Sequence, residues 1–297
     1  MIIRYASHAA YMTPDQYCEQ KTASSGSSFT YSFLFLEPDE KRAMTALYAF
    51  CREIDDVVDE CHDPGVARVK LAWWRDEISR TYAGAPQHPV GQALRGVIGL
   101  YKLPQEYFIE IIAGMEMDLD CNAYRNFAEL SLYCYRAAAV VGLMAAEIFG
   151  YEDRRTLKYA HDLGMAFQLT NILRDIGEDA RRGRVYLPED EMARFNVSRD
   201  DILHGHLNDN MGALLKFQTE RAKQYYQQAF EHLPDSDRYR QRSGLIMAAV
   251  YQATLKAIED SGYQVFEQRV GLSPPRKMWI AWQTARREKR RHLEHET

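Results

Sequence analysis

Apolar residues recur at intervals of three and four along most of the chain, which is the spacing of one face of an α-helix. The stretch DEKRAMTALYAFCREIDDVVDE (39–60) shows this pattern clearly. The same pattern predicts further helices over 66–83, 89–101, 104–118, 126–149, 153–181, 208–233, 237–260 and 275–293. No alternating run is long enough to build a β-sheet. The sequence therefore predicts an all-α fold.

Proline and glycine mark the breaks between these helices, as in DPG (63–65), GAPQHP (84–89), LPDSD (233–237) and GLSPP (271–275). No break is long enough to link two domains. We therefore predict one helical domain over 1–297, with an N-terminal loop segment over 1–30 and a basic C-terminal helix over 275–297. Because this exceeds the usual domain size of roughly 100–200 residues, we expect a large bundle around a central apolar cavity. The long apolar helices 126–149 and 153–181 should lie at its centre.

Two aspartate pairs interrupt helices that are otherwise apolar. Asp55 and Asp59 stand one helical turn apart within 39–60. In GMAFQLTNILRDIGED (164–179), steps of four, three, four and four place five residues on one narrow stripe of the helix, which ends in two carboxylates: Gly164, Gln168, Asn171, Asp175 and Asp179. Burying such groups without a partner is costly, and more so when they are ionised. A bound cation and its ligand would remove this cost.

Oxygen-only ligands favour a hard cation such as Mg²⁺, which retains water and takes substrate phosphates as its other ligands. One aspartate pair is usually a solvated helix face, but two pairs on apolar helices favour a shared metal site. Across an apolar interior, they suit a diphosphate with a long hydrocarbon tail. Arginines flank both aspartate pairs, and the forked geometry of their guanidinium groups suits a departing diphosphate. The five arginines are Arg52, Arg174, Arg181, Arg182 and Arg184. For Arg181 and Arg182, ion pairing on the protein surface is the alternative.

Composition restricts the compartment and the partners. The net charge of −5 and the pI near 6.0 argue against general nucleic-acid binding. Five cysteines without a C-x-x-C pair, and a start without signal-peptide character, predict a reduced, cytoplasmic protein. No uninterrupted apolar stretch approaches the roughly 20 residues of a membrane-spanning helix. The basic run RREKRRH (286–292) is either a solvated helix end or a peripheral contact with the inner face of a membrane. Both a monomer and a homodimer remain open.

Four stretches together resemble the squalene/phytoene synthase family, the trans-isoprenyl diphosphate synthases that join two prenyl diphosphates head to head. They are YAFCREIDDVVDE (48–60), GMEMDL (114–119), YCYRAAAVVG (133–142) and QLTNILRDIGEDARRGRVYLP (168–188), in the order that the family has them. The loop SGSSF (25–29) looks most like the bacterial presqualene diphosphate synthases of the hopanoid route. The resemblance implies an isoprenoid-synthase-type bundle.

The resemblance also implies roles for individual residues. The ligands of a Mg²⁺ cluster, for which Mn²⁺ is an alternative, would be Asp55, Asp59, Asp175 and Asp179, with Asn171 assisting. The residues that match positions around the diphosphate or its metal are Ser28, Tyr48, Arg52, Gln168 and Arg269. Tyr133 and Tyr251 match tyrosines near the reacting carbons, and Tyr133 is the catalytic candidate. Arg136 stands where several relatives have a small or uncharged residue, and we expect it to contact substrate.

The implied reaction is the condensation of two farnesyl diphosphates to presqualene diphosphate with release of diphosphate. Cations and arginine would stabilise the leaving group, and the apolar wall would exclude water. Diphosphate is the expected proton acceptor, with Tyr133 as a relay or a cation-stabilising ring.

Three alternatives remain. The first is the synthesis of phytoene from two geranylgeranyl diphosphates, and the second is squalene or dehydrosqualene synthesis. Only squalene needs NADPH, which we do not expect to be required. A non-catalytic helical lipid-binding protein is the remote alternative. A di-iron carboxylate bundle is disfavoured, because no glutamate is followed by a histidine three residues later.

Overall fold

The computed structural model describes residues 12–26, 28–61, 63–120 and 123–296, and the regular elements among them are all helices. In chain order these are α1 (Pro14–Ser24), α2 (Phe29–Phe33), α3 (Pro38–Glu60), α4 (Pro64–Tyr82), α5 (Pro89–Tyr101), α6 (Gln105–Asp120), α7 (Phe127–Cys134), a π-helical turn (Tyr135–Ala139), α8 (Val140–Phe149), α9 (Arg155–Arg181), α10 (Glu189–Arg194), α11 (Arg199–Leu203), α12 (Asp209–His232), α13 (Asp235–Arg238), α14 (Arg242–Asp260) and α15 (Pro274–Glu296).

The predicted all-α class is confirmed, and each predicted helix corresponds to between one and three of these elements. The helix predicted over 237–260 is divided into α13 and α14. The helices α2, α10 and α11 were not predicted, because each is too short to show a helical period, and α1 was also missed. The predicted breaks agree with the observed helix starts, because Pro38, Pro64 and Pro89 occupy the first turns of α3, α4 and α5. At this position the backbone N–H that proline lacks has no partner within the helix, so its loss does not destabilise the helix.

The prediction of a loop over 1–30 is wrong for Pro14–Ser24, which is helical; residues 1–11 lie outside the described part of the chain. This helix buries only Cys18 and Thr22, so it carries almost no hydrophobic stripe. Its start is defined instead by a capping box, in which Thr13 and Gln16 satisfy each other's backbone N–H groups.

Two clusters of buried apolar residues form the core. One is built around α9, α12 and α14, with members such as Phe167 and Tyr226, and the other around α3 to α6, with members such as Phe50 and Phe108. The α9 helix packs against α8, α12, α14 and the π-helical turn, so it lies at the centre of the first cluster as expected. Four partly buried residues pack against both clusters, namely Phe29, Tyr107, Tyr135 and Ala137.

The continuous helix Phe127–Phe149 contains the π-helical turn. By length and composition it is the one candidate for a membrane span within the described residues, with a mean hydropathy of 1.4 over its most apolar window, half of which is buried. A buried core helix passes the same test, so this is weak evidence for a span. The helix packs against α6 and α9 within the bundle.

The crossing between α9 and the π-helical turn depends on Gly164. A Cβ atom added there would lie 2.5 Å from the Cα of Ala139, closer than real Cβ atoms approach backbone. We therefore expect Gly164→Ala to destabilise the protein by about 1–3 kcal/mol through overpacking, measured as a lower melting temperature. Gly96→Ala is the control, because Gly96 faces open space on α5, where alanine favours the helix. Equal melting temperatures for the two variants would contradict the close crossing.

Candidate active site

A cavity with two adjoining regions opens between the helices. Its polar region has a volume of about 550 Å³, and its apolar region has a volume of about 240 Å³. The apolar region lies between the two core clusters, since both Leu47 of α3 and Leu163 of α9 line it. Both regions are lined by Phe29, Tyr48, Arg52, Asp55, Gln168 and Asn171. A charged mouth therefore leads directly into an apolar interior.

The α3 helix brings Asp55 and Asp59 to the polar region while Ile54 and Val58 of the same turns are buried in the core. Arg52, one turn earlier, pairs with Asp55, and its Nη2 donates to Asp56 Oδ1 at 2.6 Å. Burial and the neighbouring Asp59 carboxylate raise the pKa of Asp55 to about 6. The ionised form of Asp55 is therefore disfavoured in the absence of a cation.

The α9 helix brings Asp175 and Asp179 to the same polar region. Burial acts to raise the pKa of Asp175, but Arg174 and Arg269 outweigh it and hold that pKa below its ordinary value. The Nε atoms of these arginines donate to Asp175 Oδ1 at 2.8 and 2.7 Å, respectively. Among the described residues no arginine forms an ion pair with Asp179, and burial together with the Asp175 charge raises its pKa to about 7.

The loop after α9 connects the two aspartate pairs. Arg184 Nη1 lies 2.9 Å from Asp59 Oδ1, and Arg182 Nη1 lies 2.9 Å from Asp59 Oδ2. These ion pairs join α3 to a segment that begins just beyond Asp179. The two aspartate pairs, one on α3 and one on α9, therefore converge on one region, as the sequence pattern predicted.

A further carboxylate, that of the partly buried Asp118 on α6, lies in the same region and was missed by the sequence prediction. It accepts hydrogen bonds from Tyr133 Oη at 3.1 Å and from Tyr186 Oη at 2.8 Å. The two tyrosine rings stack with centroids 5.1 Å apart. Burial raises the pKa of Asp118 to about 7, against the lowering effect of Tyr186 and Arg184. Its signal in the sequence was an acid on the largely apolar helix that carries GMEMDL.

Asp118 orients Tyr133, and this contact is testable. In Asp118→Asn the amide can accept from one phenol only, so we expect turnover to fall by about 10- to 100-fold, as when a partner of a site residue is lost. The change should appear in kcat rather than in KM, with the melting temperature unchanged. Asp120→Asn is the matched control, because Asp120 lies two residues on, is exposed and pairs with Arg68. Equal kcat values would show that Asp118 has no part in positioning.

The remaining predicted residues divide into two groups. The polar region is lined by Ser28, Tyr48, Gln168, Tyr251 and Arg269. Tyr251 also packs against Phe167, with ring centroids 4.7 Å apart. Arg136 lines neither region; its Nε donates to Glu110 Oε2 at 2.8 Å on α6. The contact of Arg136 with substrate stays a prediction, and in the structure the π-helical turn directs its side chain to α6.

The residues at the mouth fit a hard cation. Asn171 Oδ1 is buried without a hydrogen-bond partner among the described residues, and carboxylate oxygens line the same region. Burial and neighbouring carboxylates raise the pKa values of two of them, Asp55 and Asp179. Within the described residues, no three carboxylates, imidazoles or thiols cluster closely enough to hold a metal ion on their own. Such a site would therefore need ligands from a second source, and Mg²⁺ commonly takes them from substrate phosphates and water.

An all-α bundle with an apolar cavity behind two facing aspartate pairs defines an isoprenoid-synthase-type protein. A sequence profile of the squalene/phytoene synthase family matches residues 22–276. The chain belongs to the squalene/phytoene synthase family, a family of prenyltransferases.

Individual relatives extend over most of the chain. The 15-cis-phytoene synthase of Synechocystis sp. is 34% identical over 280 residues, covering 89% of this chain and 83% of that protein. The 15-cis-phytoene synthase of Synechococcus elongatus is 36% identical, covering 88% and 89%. A crystal structure of a dehydrosqualene synthase superposes with a TM-score of 0.82 at 27% identity, covering 93% and 96%. The squalene synthase HpnC from Alicyclobacillus acidocaldarius superposes with a TM-score of 0.76 at 27% identity, covering 84% and 94%.

Proposed function

We propose that the protein catalyses the head-to-head condensation of two geranylgeranyl diphosphates to phytoene. The observation that carries this choice of product is the 34% and 36% identity to two phytoene synthases over nearly the whole domain. The convergence of two aspartate pairs on an apolar cavity supports the reaction class. The synthesis of presqualene diphosphate from farnesyl diphosphate, which the SGSSF loop favoured, becomes the second candidate. The structural likeness to a dehydrosqualene synthase and a squalene synthase supports it.

We further propose that Mg²⁺, or alternatively Mn²⁺, is held at the mouth together with the substrate diphosphates. Its protein ligands would be Asp55 and Asp59 on α3 and Asn171, Asp175 and Asp179 on α9. When bound, the cation neutralises the charge that develops on the leaving diphosphate. All of these residues line the polar region, which supports one shared site.

Arginines of the chain complete the diphosphate site in this proposal. Arg52, Arg184 and Arg269 each pair with one of the aspartates. Once the carboxylates bind cations, these guanidinium groups are available to the diphosphate oxygens, for which their fork geometry is suited. The arginines therefore hold the leaving group in place while the C–O bond breaks.

The reaction balances without an external reductant. In the first step the C1–O bond of one substrate breaks and its electron pair leaves with diphosphate. The C2=C3 double bond of the second substrate then forms a bond from its C2 to this C1, which leaves positive charge on C3. Loss of a proton from C1 closes a cyclopropane. In the second step the other diphosphate leaves, the ring rearranges, and loss of another proton forms the central double bond. Phytoene and dehydrosqualene form by this loss of a proton and therefore need no NADPH. Squalene would instead require a hydride from NADPH.

The side chains of the chain control the cationic stage. The apolar region holds the hydrocarbon tails and excludes the water that would convert the cation to an alcohol. Tyr133, whose hydroxyl is committed to Asp118, presents its ring to positive charge at the mouth. Departing diphosphate is the stronger candidate for the proton acceptor, because a phenol is a poor base at neutral pH.

One assay separates the two candidates. Purified protein with Mg²⁺ is given geranylgeranyl or farnesyl diphosphate, each with and without NADPH, and the extracted lipids are identified. The proposal predicts phytoene from the longer substrate without NADPH, with the higher kcat/KM for that substrate. Presqualene diphosphate or dehydrosqualene from farnesyl diphosphate, with no phytoene, would establish the second candidate. Absence of any condensed product would refute both.

A further inference from the structure

The C-terminal helix α15 has an apolar aromatic face that the bundle leaves uncovered. Met278, Trp279 and Trp282 are 40%, 56% and 43% exposed, whereas Ala281, Thr284 and Glu288 on the opposite side are buried. Soluble proteins rarely leave neighbouring tryptophan side chains this exposed to solvent. The face therefore needs an explanation other than packing of the core.

The exposed side chains on this face follow one another along the helix, with aromatic residues first and basic residues after them. The rings of Trp279 and Trp282 stack with their centroids 5.3 Å apart, and the Arg286 guanidinium lies 5.4 Å from the centre of the Trp282 ring. Lys289 and Leu293 continue the same side of the helix at steps of three and four, and both are exposed. Aromatic groups thus lie at the start of the face and basic groups towards its end.

The opposite side of α15 is tied firmly to the bundle. Glu288, whose side chain is 1% exposed, accepts from Arg238 Nε at 2.7 Å and pairs with Arg287. The Arg291 Nη2 atom lies 2.7 Å from Asp235 Oδ1. Part of the basic run at 286–292 is therefore used within the protein. The outward basic groups are a smaller set that shares a face with the tryptophans, namely Arg286, Lys289 and Arg290.

The charge of α15 differs in sign from that of the whole protein. Between 274 and 294 the sequence has seven basic and two acidic residues, whereas the whole chain has a net charge of −5. A basic helix on an acidic protein is attracted to an anionic surface, although the protein as a whole is repelled by it. This charge complementarity selects an anionic partner for the face.

The start of α15 lies at the cavity mouth. Lys277, directly before Met278, lines the polar region, as does Leu272 in the loop before the helix. The α15 helix packs against α14 and α2, and Leu34, which follows α2, is 56% exposed. The helix that carries the apolar face therefore begins at the rim of the cavity mouth.

We propose that this face, formed by Met278, Trp279, Trp282, Arg286, Lys289 and Arg290, seats the protein on the surface of an anionic lipid bilayer. Tryptophan side chains settle at the level of the lipid headgroups, and lysine and arginine pair with anionic lipid. The helix lies in the interface and does not span it. The benefit to the enzyme rests on the proposed function, because prenyl substrates and a hydrocarbon product could then exchange between membrane and cavity. Binding to lipid does not rest on it.

The test is flotation of the full chain with vesicles of phosphatidylcholine, alone or mixed with phosphatidylglycerol. We expect binding to the mixed vesicles only, weakened by salt, with a blue shift in the emission of the tryptophans. Trp279→Ser with Trp282→Ser should abolish binding. Arg286→Gln, Lys289→Gln and Arg290→Gln together should weaken it by about fivefold for each charge removed. Leu100→Ser with Lys216→Gln, an exposed pair on other helices, is the matched control and should bind like the parent.

Turnover of detergent-dispersed substrate separates this proposal from the proposed function, because the face variants should retain it. A parent protein that stays in solution with both kinds of vesicle would overturn the proposal. So would equal binding by the parent and both face variants. Concentration-dependent dimers that the tryptophan variants abolish, without vesicle binding, would instead assign the face to a second copy of the chain.

Discussion

Replacing Asp55 with asparagine is expected to lower turnover by about a thousandfold while leaving the protein folded. The amide removes a negative oxygen from the proposed cation site, and the lost charge stabilisation of a few kcal/mol corresponds to that factor. The variant should also need far more Mg²⁺ for half-maximal rate. The measurement is steady-state turnover as a function of Mg²⁺ concentration, with the identified substrate.

Stability separates a catalytic role for Asp55 from a structural one. Burial and Asp59 raise the pKa of Asp55 to about 6, so its ionised form is unfavourable in the metal-free fold. Asp55→Asn should therefore keep or raise the melting temperature of metal-free protein while turnover is lost. Asp39→Asn, an exposed acid in the first turn of the same helix, is the control and should change neither quantity. Turnover within tenfold of the parent would contradict the proposed site.

Magnesium is expected to stabilise the protein more at pH 8 than at pH 5. The pKa values of Asp55, Asp118 and Asp179 are raised to about 6, 7 and 7. In the folded protein these groups retain protons that the unfolded chain releases near pH 4. The free energy of unfolding without metal should therefore fall as pH rises from about 4 to 8. A cation that binds the ionised carboxylates offsets this loss of stability. The increase in the free energy of unfolding that the cation produces therefore grows with pH.

Melting curves at pH 5 and pH 8, with and without Mg²⁺ and diphosphate, measure this dependence. Asp175 does not oppose it in this range, because its lowered pKa adds stability above its ordinary pKa, and that stability is lost only in more acidic solution. The double variant Asp55→Asn with Asp179→Asn is the control and should lose most of the pH-dependent Mg²⁺ effect. An equal Mg²⁺ effect at both pH values in the parent would show that these carboxylates do not bind the cation.

The prediction of helices succeeded where one face is buried along several turns. The α3 and α9 helices carry long buried stripes, so their periods were plain in the sequence. The α1 helix buries two residues and depends on its capping box, which makes its signal local and weak. Short helices such as α10 and α11 were missed for the same reason.

The aspartate pairs could be predicted because spacing along a helix decides which side chains share a face. The helical steps place Asp55 with Asp59 and Asp175 with Asp179, and the structure has both pairs at the polar mouth. Asp118 could not be assigned in this way, since its partners Tyr133 and Tyr186 come from separate segments. The same limit applied to Arg136, because nothing in the sequence indicates that it pairs with Glu110.

The chain alone established the all-α class, the two acidic motifs and the family, since periodicity and motif spacing are local properties that survive without coordinates. The tertiary structure decided which distant groups meet, such as Arg184 with Asp59 and two tyrosines with Asp118, and it left a stacked tryptophan pair exposed on α15. Such contacts depend on how helices cross and on which faces remain uncovered. Those features arise from the packing of the whole bundle and not from any one segment.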